Sequence, residues 1–505
     1  MRRDLTRLAE TRFDLLVIGA GIHGACAAWD AALRGLSVAV VDQGDFGAAT
    51  SANSLRIIHG GLRYLARGDL ARTLESTRER TALLRIAPSL VQPLPVLVPT
   101  FGHGFHSRTA LRAALALNDT LSLFRNRTLP DDRAIPPGRI LSRAECLDLF
   151  PAFDSDEVTG GALWYDARMT HPERLTLSFV RSAADRGAAV ANYVRAERLL
   201  IEGDSVSGAS VVDVGSGEVF AIQARTVLVA AGHWTQGIIR ATRADHGGKA
   251  PRTHALGVNV ILGKSLATVA VGIQARSMAD RDPVCGGGRF LFLAPAGNTT
   301  MLGTWYGLTE WSHSQTMAER GARELVRELV EACPDIDVGN HDIVRWQFGW
   351  LPLKAGNEPG RPDALADRAR VLDHGASHGI RHLFSVEGVK YTTARAVAQR
   401  VVDRIVAHLG RPSIPCRTGE VLLNTGRSLL GSPAQAVREE MAIKLTDFIF
   451  RRTDMGTPTG PKRAMVQDAA RLMGAELGWD TGRRESEVEE VMRQIEAATT
   501  LEAVG

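Results

Sequence analysis

The chain has 505 residues, 45% hydrophobic and 23% charged, the make-up of an ordinary globular protein with apolar material for two or three domains. Its formal net charge of +4 is small and spread along the chain, which excludes nucleic-acid binding through a basic tract. The five cysteines, Cys26, Cys146, Cys285, Cys333 and Cys416, form no C-x-x-C pair, so neither a disulfide framework nor a thiolate metal site is expected, and a reducing compartment is.

Residues 1–12 are polar and charged and lack the apolar core of a secretory signal. No run is apolar enough to span a bilayer. The expectation is a cytoplasmic protein, at most peripheral on the cytoplasmic membrane face. Residues 13–18 form a short apolar run of strand type, and 19–24 a glycine turn. Residues 25–34 carry small and apolar residues at helical spacing, and 36–41 read as a second buried strand ending at Asp42. This is a β-α-β unit.

The turn Gly19-Ala20-Gly21-Ile22-His23-Gly24 is G-x-G-x-x-G. Gly19 permits the tight bend, Gly21 lets the backbone approach a pyrophosphate, and Gly24 allows close helix–strand packing. The N–H groups and dipole at the helix start favour phosphate, and Asp42 is placed to accept from ribose hydroxyls. A turn that binds nothing is the competing reading of the motif alone. Its position between a strand, a helix and an acidic residue favours a dinucleotide. The motif does not choose between FAD and NAD.

Further along, Leu111, Leu115, Leu121 and Phe124 share a helical face flanked by Arg108, Arg112, Arg125 and Arg127. A membrane-surface helix and an ordinary packed helix fit this pattern equally well. Residues 225–231 and 382–386 read as strands returning to the first domain, the latter followed by a helix over 392–409. Residues 257–262 and 290–293 read as strands of a second domain. The stretch 410–426 is rich in Gly and Pro and reads as a linker. Beyond it three helical faces follow: Val437, Met441, Leu445 and Phe448; Val466, Ala470, Met473 and Leu477; and Val488, Val491, Met492 and Ile495. They suggest a helical C-terminal domain that acts as a packing cap.

Several stretches carry a resemblance. Ala49-Thr50-Ser51 precedes Leu55-Arg56-Ile57-Ile58-His59-Gly60-Gly61-Leu62-Arg63-Tyr64-Leu65, which resembles the signature of the FAD-dependent glycerol-3-phosphate dehydrogenases. Ala230-Ala231-Gly232-His233-Trp234 is similar to that family's second flavin-contacting turn. Gly388-Val389-Lys390-Tyr391-Thr392-Thr393 is similar to its Gly-Lys-x-Thr-Thr motif, and Arg451-Arg452-Thr453 to an Arg-Arg-Thr in its helical C-terminal domain.

The resemblance implies an α/β fold of glutathione-reductase type: a discontinuous Rossmann-like FAD domain, a mixed-sheet substrate domain and a helical C-terminal domain. The expected oxidoreductase region is 1–418, with FAD segments near 1–90, 155–235 and 365–410 and substrate segments near 91–154 and 236–364; 419–505 is the helical domain. It implies oxidation of glycerol 3-phosphate to the ketone by FAD, with electrons passing to a quinone or another acceptor. FAD contacts are expected from Gly19, Gly21, Gly24, Asp42, Thr50, Ser51, Ala231, Gly232, Gly388 and Thr392. Arg63 is expected to grip an anionic or hydroxylated substrate through its planar fork of donors, and Tyr64 to hydrogen-bond a substrate hydroxyl. Lys390, just before a helix, is expected to stabilise negative charge on reduced flavin, and His59 to contact flavin or take a proton. Taken singly, these are also ordinary surface or structural residues.

Three departures lie on the substrate side. Leu256-Gly257-Val258-Asn259 stands where the family has Lys-Gly-Ser-His, and Gly303-Thr304-Trp305-Tyr306 where it has Gly-Thr-Thr-Asp. Leu351-Pro352 stands where it has Arg-Pro, whose arginine helps hold phosphate. The expectation is a weak phosphate site and an aromatic pocket shaped by Trp305 and Tyr306, unless Arg252 or Arg345 compensates. A different small substrate (a free polyol, hydroxy acid, amine or amino acid) and a non-catalytic flavin-binding partner are the alternatives.

Overall fold

A computed structural model describes all residues except 66–67, 103, 105–106, 243–253, 276–289, 355–363, 427–430, 457–459 and 499–505, and for Arg63 and His378 the backbone only. The first apolar run is the strand Arg12–Ile18, buried at every position after the first. It lies centrally in a sheet of eight strands among the described residues, parallel to Val38–Val41 on one side and Val219–Val229 on the other. Ala189–Ala191 and Leu383–Glu387 extend the parallel set outward. Strands of this kind need cover on both faces. One face is closed by the helices Ile22–Leu33, Pro172–Asp185 and Ala394–His408, which share a core with Leu15, Val17, Val38 and Val40.

Among the described residues the second sheet has nine strands. Val91–Phe101 and Ala270–Gln274 run parallel within it and the remaining pairs are antiparallel, so the sheet is mixed as expected. The amphipathic helix Ser314–Ala332 buries Ala318, Leu325 and Leu329 against it. The boundary near 155 is corrected. Val158–Met169 pairs antiparallel along the whole of Val91–Phe101, and Ile57–Ile58 pairs with it in turn. The backbone groups of Val158–Met169 are satisfied only in the substrate sheet, and the cofactor half resumes with the helix Pro172–Asp185.

The C-terminal helices enclose a core of their own around Phe448, Ile449, Val466, Met473 and Val491. The expected single face through Val437, Met441, Leu445 and Phe448 is broken. Met441 adopts a left-handed conformation at φ 53° and ends the helix Pro433–Glu440. The Asp447 carboxylate accepts the N–H groups of Ile443 and Lys444 at 2.9 Å each, which restarts the helix. The basic helix is Arg108–Leu121 and it packs inward through Leu115. Just past its end, Leu123 and Phe124 are each 71% exposed. Among the described residues no helix is long and apolar enough to cross a membrane.

Candidate cofactor and substrate site

The glycine turn is dictated by close approach. Gly19 has φ +98°, and a β-carbon there would lie 2.7 Å from the carbonyl oxygen of Ala230 on the neighbouring strand. A β-carbon on Gly24 would stand 1.9 Å from the Gly19 oxygen, so only glycine lets the helix seat on the strand. Gly21 caps the helix. The Ser51 hydroxyl accepts the Ile22 N–H at 3.0 Å, which sets a polar group at the helix start.

Asp42 ends the next strand. Its carboxylate accepts the N–H groups of Ala20 at 2.7 Å and Gly44 at 2.9 Å. Burial pushes its pKa up to about 6, against the pull of those two hydrogen bonds. The residues that follow are tied to the substrate sheet. The Trp350 N–H donates to the Thr50 hydroxyl at 3.0 Å, and Asn53 donates to the Phe348 carbonyl at 2.9 Å. Thr50 lines the cavity below, but its hydroxyl is engaged in this tie.

Between the two sheets lies a cavity of about 850 Å³. Its walls come from Asp42 and Arg195, from Gly21, Ser51, Ala231 and Gly232, and from Thr304, Tyr306 and Leu351. Three side chains on the wall hold buried nitrogens without a hydrogen-bond partner among the described residues: His23 Nε2, His233 Nε2 and Trp350 Nε1. Such atoms are costly unless a ligand supplies a partner. A β-carbon on Gly388 would lie 2.0 Å from His23 Cε1, so this glycine also keeps space open. Burial, with the charge of Arg400, takes the His23 pKa down to about 4. Glycine cradle, the Asp42 carboxylate at the end of the next strand, helix terminus and unpaired nitrogens together fit a dinucleotide. Thr392 is buried beside this wall, which Val389, Lys390 and Tyr391 form.

On the substrate side, successive residues of the strand Thr299–Gly307 face opposite ways. Thr304 and Tyr306 line the cavity, while Trp305 is buried in the core with its indole N–H donating to Glu324 at 2.8 Å. The expected part of Trp305 in the pocket is therefore corrected. Asn259 is held rigidly: it accepts from the Thr304 hydroxyl at 2.8 Å and donates to the Asn53 carbonyl at 3.2 Å. Leu351 lines the cavity against Gly257. Arg345 does not compensate, since its guanidinium lies 5.1 Å from the Phe450 ring centroid and donates to the Gly456 carbonyl. Arg252 and the Arg63 side chain lie outside the described residues.

Lys390 lines this cavity and also a polar neighbour of about 1230 Å³, and its ammonium sits 4.1 Å from the centre of the Tyr64 ring. Tyr64 lines only the polar cavity. His59 stands off both walls, with its ring 5.3 Å from Phe292. Its Nδ1 is 3.2 Å from Asp166, a residue the sequence did not single out. Asp166 also accepts the Gly60 N–H at 2.6 Å and pairs with the buried Arg80 at 3.2 Å. Burial alone would raise the Asp166 pKa, but His59 and Arg80 outweigh it and hold the carboxyl below its ordinary range. The signal missed was non-local, since Asp166 comes from a strand more than a hundred residues away.

A glycine turn at the end of a central parallel strand, an acid ending the next strand and a second sheet over a large cavity define a two-part dinucleotide-dependent oxidoreductase. Residues 14–404 match the family described as FAD dependent oxidoreductase, and 419–484 match the C-terminal domain of alpha-glycerophosphate oxidase. Glycerol-3-phosphate dehydrogenase 1 of Mycobacterium tuberculosis is 32% identical over 450 residues, 85% of this chain and 79% of that one. The mitochondrial glycerol-3-phosphate dehydrogenase of Homo sapiens is 27% identical over 489 residues, which are 92% of this chain and 63% of the relative's own length. The solved glycerol-3-phosphate dehydrogenase of Bacillus halodurans, complexed with FAD, shares the fold at TM-score 0.72 and 20% identity, over 97% of this chain and 96% of that one. The chain belongs to the FAD-dependent oxidoreductase family, among its glycerol-3-phosphate dehydrogenase members, and its cofactor is FAD.

Proposed function

We propose that the protein oxidises the secondary hydroxyl of glycerol 3-phosphate, or of a close relative, to a ketone. The observation that carries this reading is the Lys390–Tyr64 contact on the wall between the cofactor cavity and its polar neighbour. Basic side chains outnumber acidic ones in that polar cavity, although Arg72, Arg125, Arg368, Arg395 and Arg400 are each paired with a carboxylate. An anionic substrate is drawn toward such a surface. FAD, when bound, supplies the two-electron oxidising power of the reaction. Lys390 offsets negative charge that develops at the wall, and Arg63 and Tyr64 orient the substrate. His59, tied to Asp166 through Nδ1, stands off both cavity walls and takes no substrate proton from that position.

Domain roles follow: 1–418 carries the reaction and 419–505 caps it. Electrons leave to a quinone or another acceptor. The protein is proposed to be cytoplasmic and peripheral on the membrane face, supported by exposed Leu123 and Phe124 beside exposed Arg127; Arg125 is turned inward onto Asp119. Flotation with anionic liposomes at low salt, weakened by added salt, is the expected result. Leu351 and Tyr306 favour a second reading, in which the preferred substrate is less anionic or bulkier. Anaerobic bleaching of the flavin by a panel of polyol phosphates, free polyols and amino acids decides between them. Bleaching by glycerol 3-phosphate at low concentration supports the first reading. Bleaching by none would point to a non-catalytic flavin-binding partner.

A further inference from the structure

The loop after Asp42 carries a second acid, Asp45, that no part of the reaction uses. Its side chain is fully buried. Arg452 grips it with two donors, Nη1 at 2.7 Å and Nη2 at 2.8 Å, and Arg451 Nε adds a third at 2.6 Å. Asn192 donates to it as well, at 3.1 Å, and to the Met441 carbonyl at 2.8 Å. Behind Arg451 stands Asp447, which accepts from Arg451 at 2.6 Å and from the Tyr193 hydroxyl at 2.5 Å. The Arg-Arg-Thr motif thus reaches out of the C-terminal core onto the turn that carries the cofactor's ribose carboxylate.

That turn is also held from within: the Asp42 carboxylate accepts the N–H groups of Ala20 and Gly44, the Asp42 N–H donates to the Ala191 carbonyl at 3.1 Å, and the Gly47 N–H donates to the Ala20 carbonyl at 3.0 Å. The Asp42 carbonyl accepts the Val194 N–H at 2.7 Å and the Gly44 carbonyl accepts the Tyr193 N–H at 3.0 Å. The clamp therefore acts on both sides of the Asp42 turn: on Asp45 directly, and on residues 192–194 through Asn192 and Tyr193. A fork of two parallel bonds to a buried carboxylate fixes direction as well as distance.

We propose that Arg452, aided by Arg451, is a positioning residue for FAD: through Asp45 it holds the turn that presents Asp42, and so makes the C-terminal domain part of the cofactor site. Asp42 touches the cofactor and the arginines act through it. A clamp that only joined two domains would lower the stability of apoprotein and holoprotein alike. A positioning clamp also shrinks the extra stability that FAD confers, because ligand stabilisation follows affinity.

The test uses the full chain, stripped of flavin and titrated with FAD by fluorescence. Arg452→Met and the near-isosteric Asp45→Asn are expected to bind FAD ~10–100-fold more weakly, the scale at which outer partners of a bound group act. Saturating FAD should restore kcat with the substrate KM unchanged, Arg452→Lys should recover part of the affinity, and the double variant should be no worse than the poorer single one. In wild type, FAD should slow amide hydrogen exchange across 443–453, whose Arg451 and Arg452 reach the cofactor cavity through Asp45, as reciprocal coupling requires. Unchanged FAD affinity in any folded variant overturns the proposal. So does wild-type exchange over 443–453 that is indifferent to FAD, a measurement that stands even if the variants fail to fold.

Discussion

The imidazole of His23 occupies the space that a side chain at position 388 would need, so the first and last segments of the cofactor half are fitted to each other through one missing β-carbon. Gly388→Ala must move the ring or the strand end, and either change deforms the cavity wall. The variant is expected to lose most of its flavin while keeping its secondary structure. Flavin content after gel filtration, alongside circular dichroism, checks this; full flavin content would mean that the ring has room to yield.

Acid should destabilise the protein through its buried imidazoles. His23, His233 and His254 are each held near pKa 4, in every case chiefly by burial. Below their ordinary value of about 6.5 the unfolded chain takes up protons that the folded chain refuses. Stability is therefore complete above pH 6.5 and falls as pH drops toward 4. Asp42, raised to about 6, opposes this in part, since its contribution shrinks as pH rises from 3.8 to 6. For His23 the loss is on the order of 3 kcal/mol. The melting temperature should fall from pH 6.5 to 4.5, and His23→Gln should flatten the slope. An unaltered slope in that variant would assign the acid sensitivity elsewhere.

Lys390→Met should retain FAD and slow flavin reduction. Loss of one preorganised positive group at developing charge costs ~2.7–4 kcal/mol, a factor of ~100–1,000 in rate. Anaerobic stopped flow measures the step directly, and a wild-type rate would place Lys390 outside the chemistry.

Leu351 gives the substrate side its own test. Leucine offers no donor where the resembled family has arginine, so glycerol 3-phosphate is expected to show a high KM. Leu351→Arg should lower that KM, by up to ~30-fold if the new pair recovers ~2 kcal/mol. A micromolar KM in wild type would mean that phosphate is held by other groups.

The cofactor half was legible because its constraints are local. Strand, glycine turn, helix and acid lie within thirty residues, and Gly24 answers to Gly19 inside the motif itself, although Gly19 answers to Ala230 on a distant strand. The substrate half was not, for two physical reasons. Whether a strand residue faces cavity or core depends on register, and Trp305 faced the side opposite to the one expected. The groups that hold the site also converge from distant strands: Asp166 lies 107 residues from His59, and Arg452 lies 407 from Asp45. The break at Met441 was hidden because its apolar spacing suits one continuous helix, and only the Asp447 carboxylate, accepting backbone N–H groups, reveals that the chain restarts.

The alternation along Thr299–Gly307 has an evolutionary consequence. The Trp305 indole fills the space over Gly307 and Gly321, where a β-carbon would come within 2.2 and 2.5 Å of it, and so docks the helix Ser314–Ala332 onto the sheet. Thr304 and Tyr306, one residue away on either side, take no part in that docking. Substrate preference can therefore drift at 306 at little cost to the scaffold, and at 304 only with loss of the hydroxyl that holds Asn259, while 305, 307 and 321 must change together or not at all. Relatives with different substrates should vary first at 306 and keep the three-residue lock as a set.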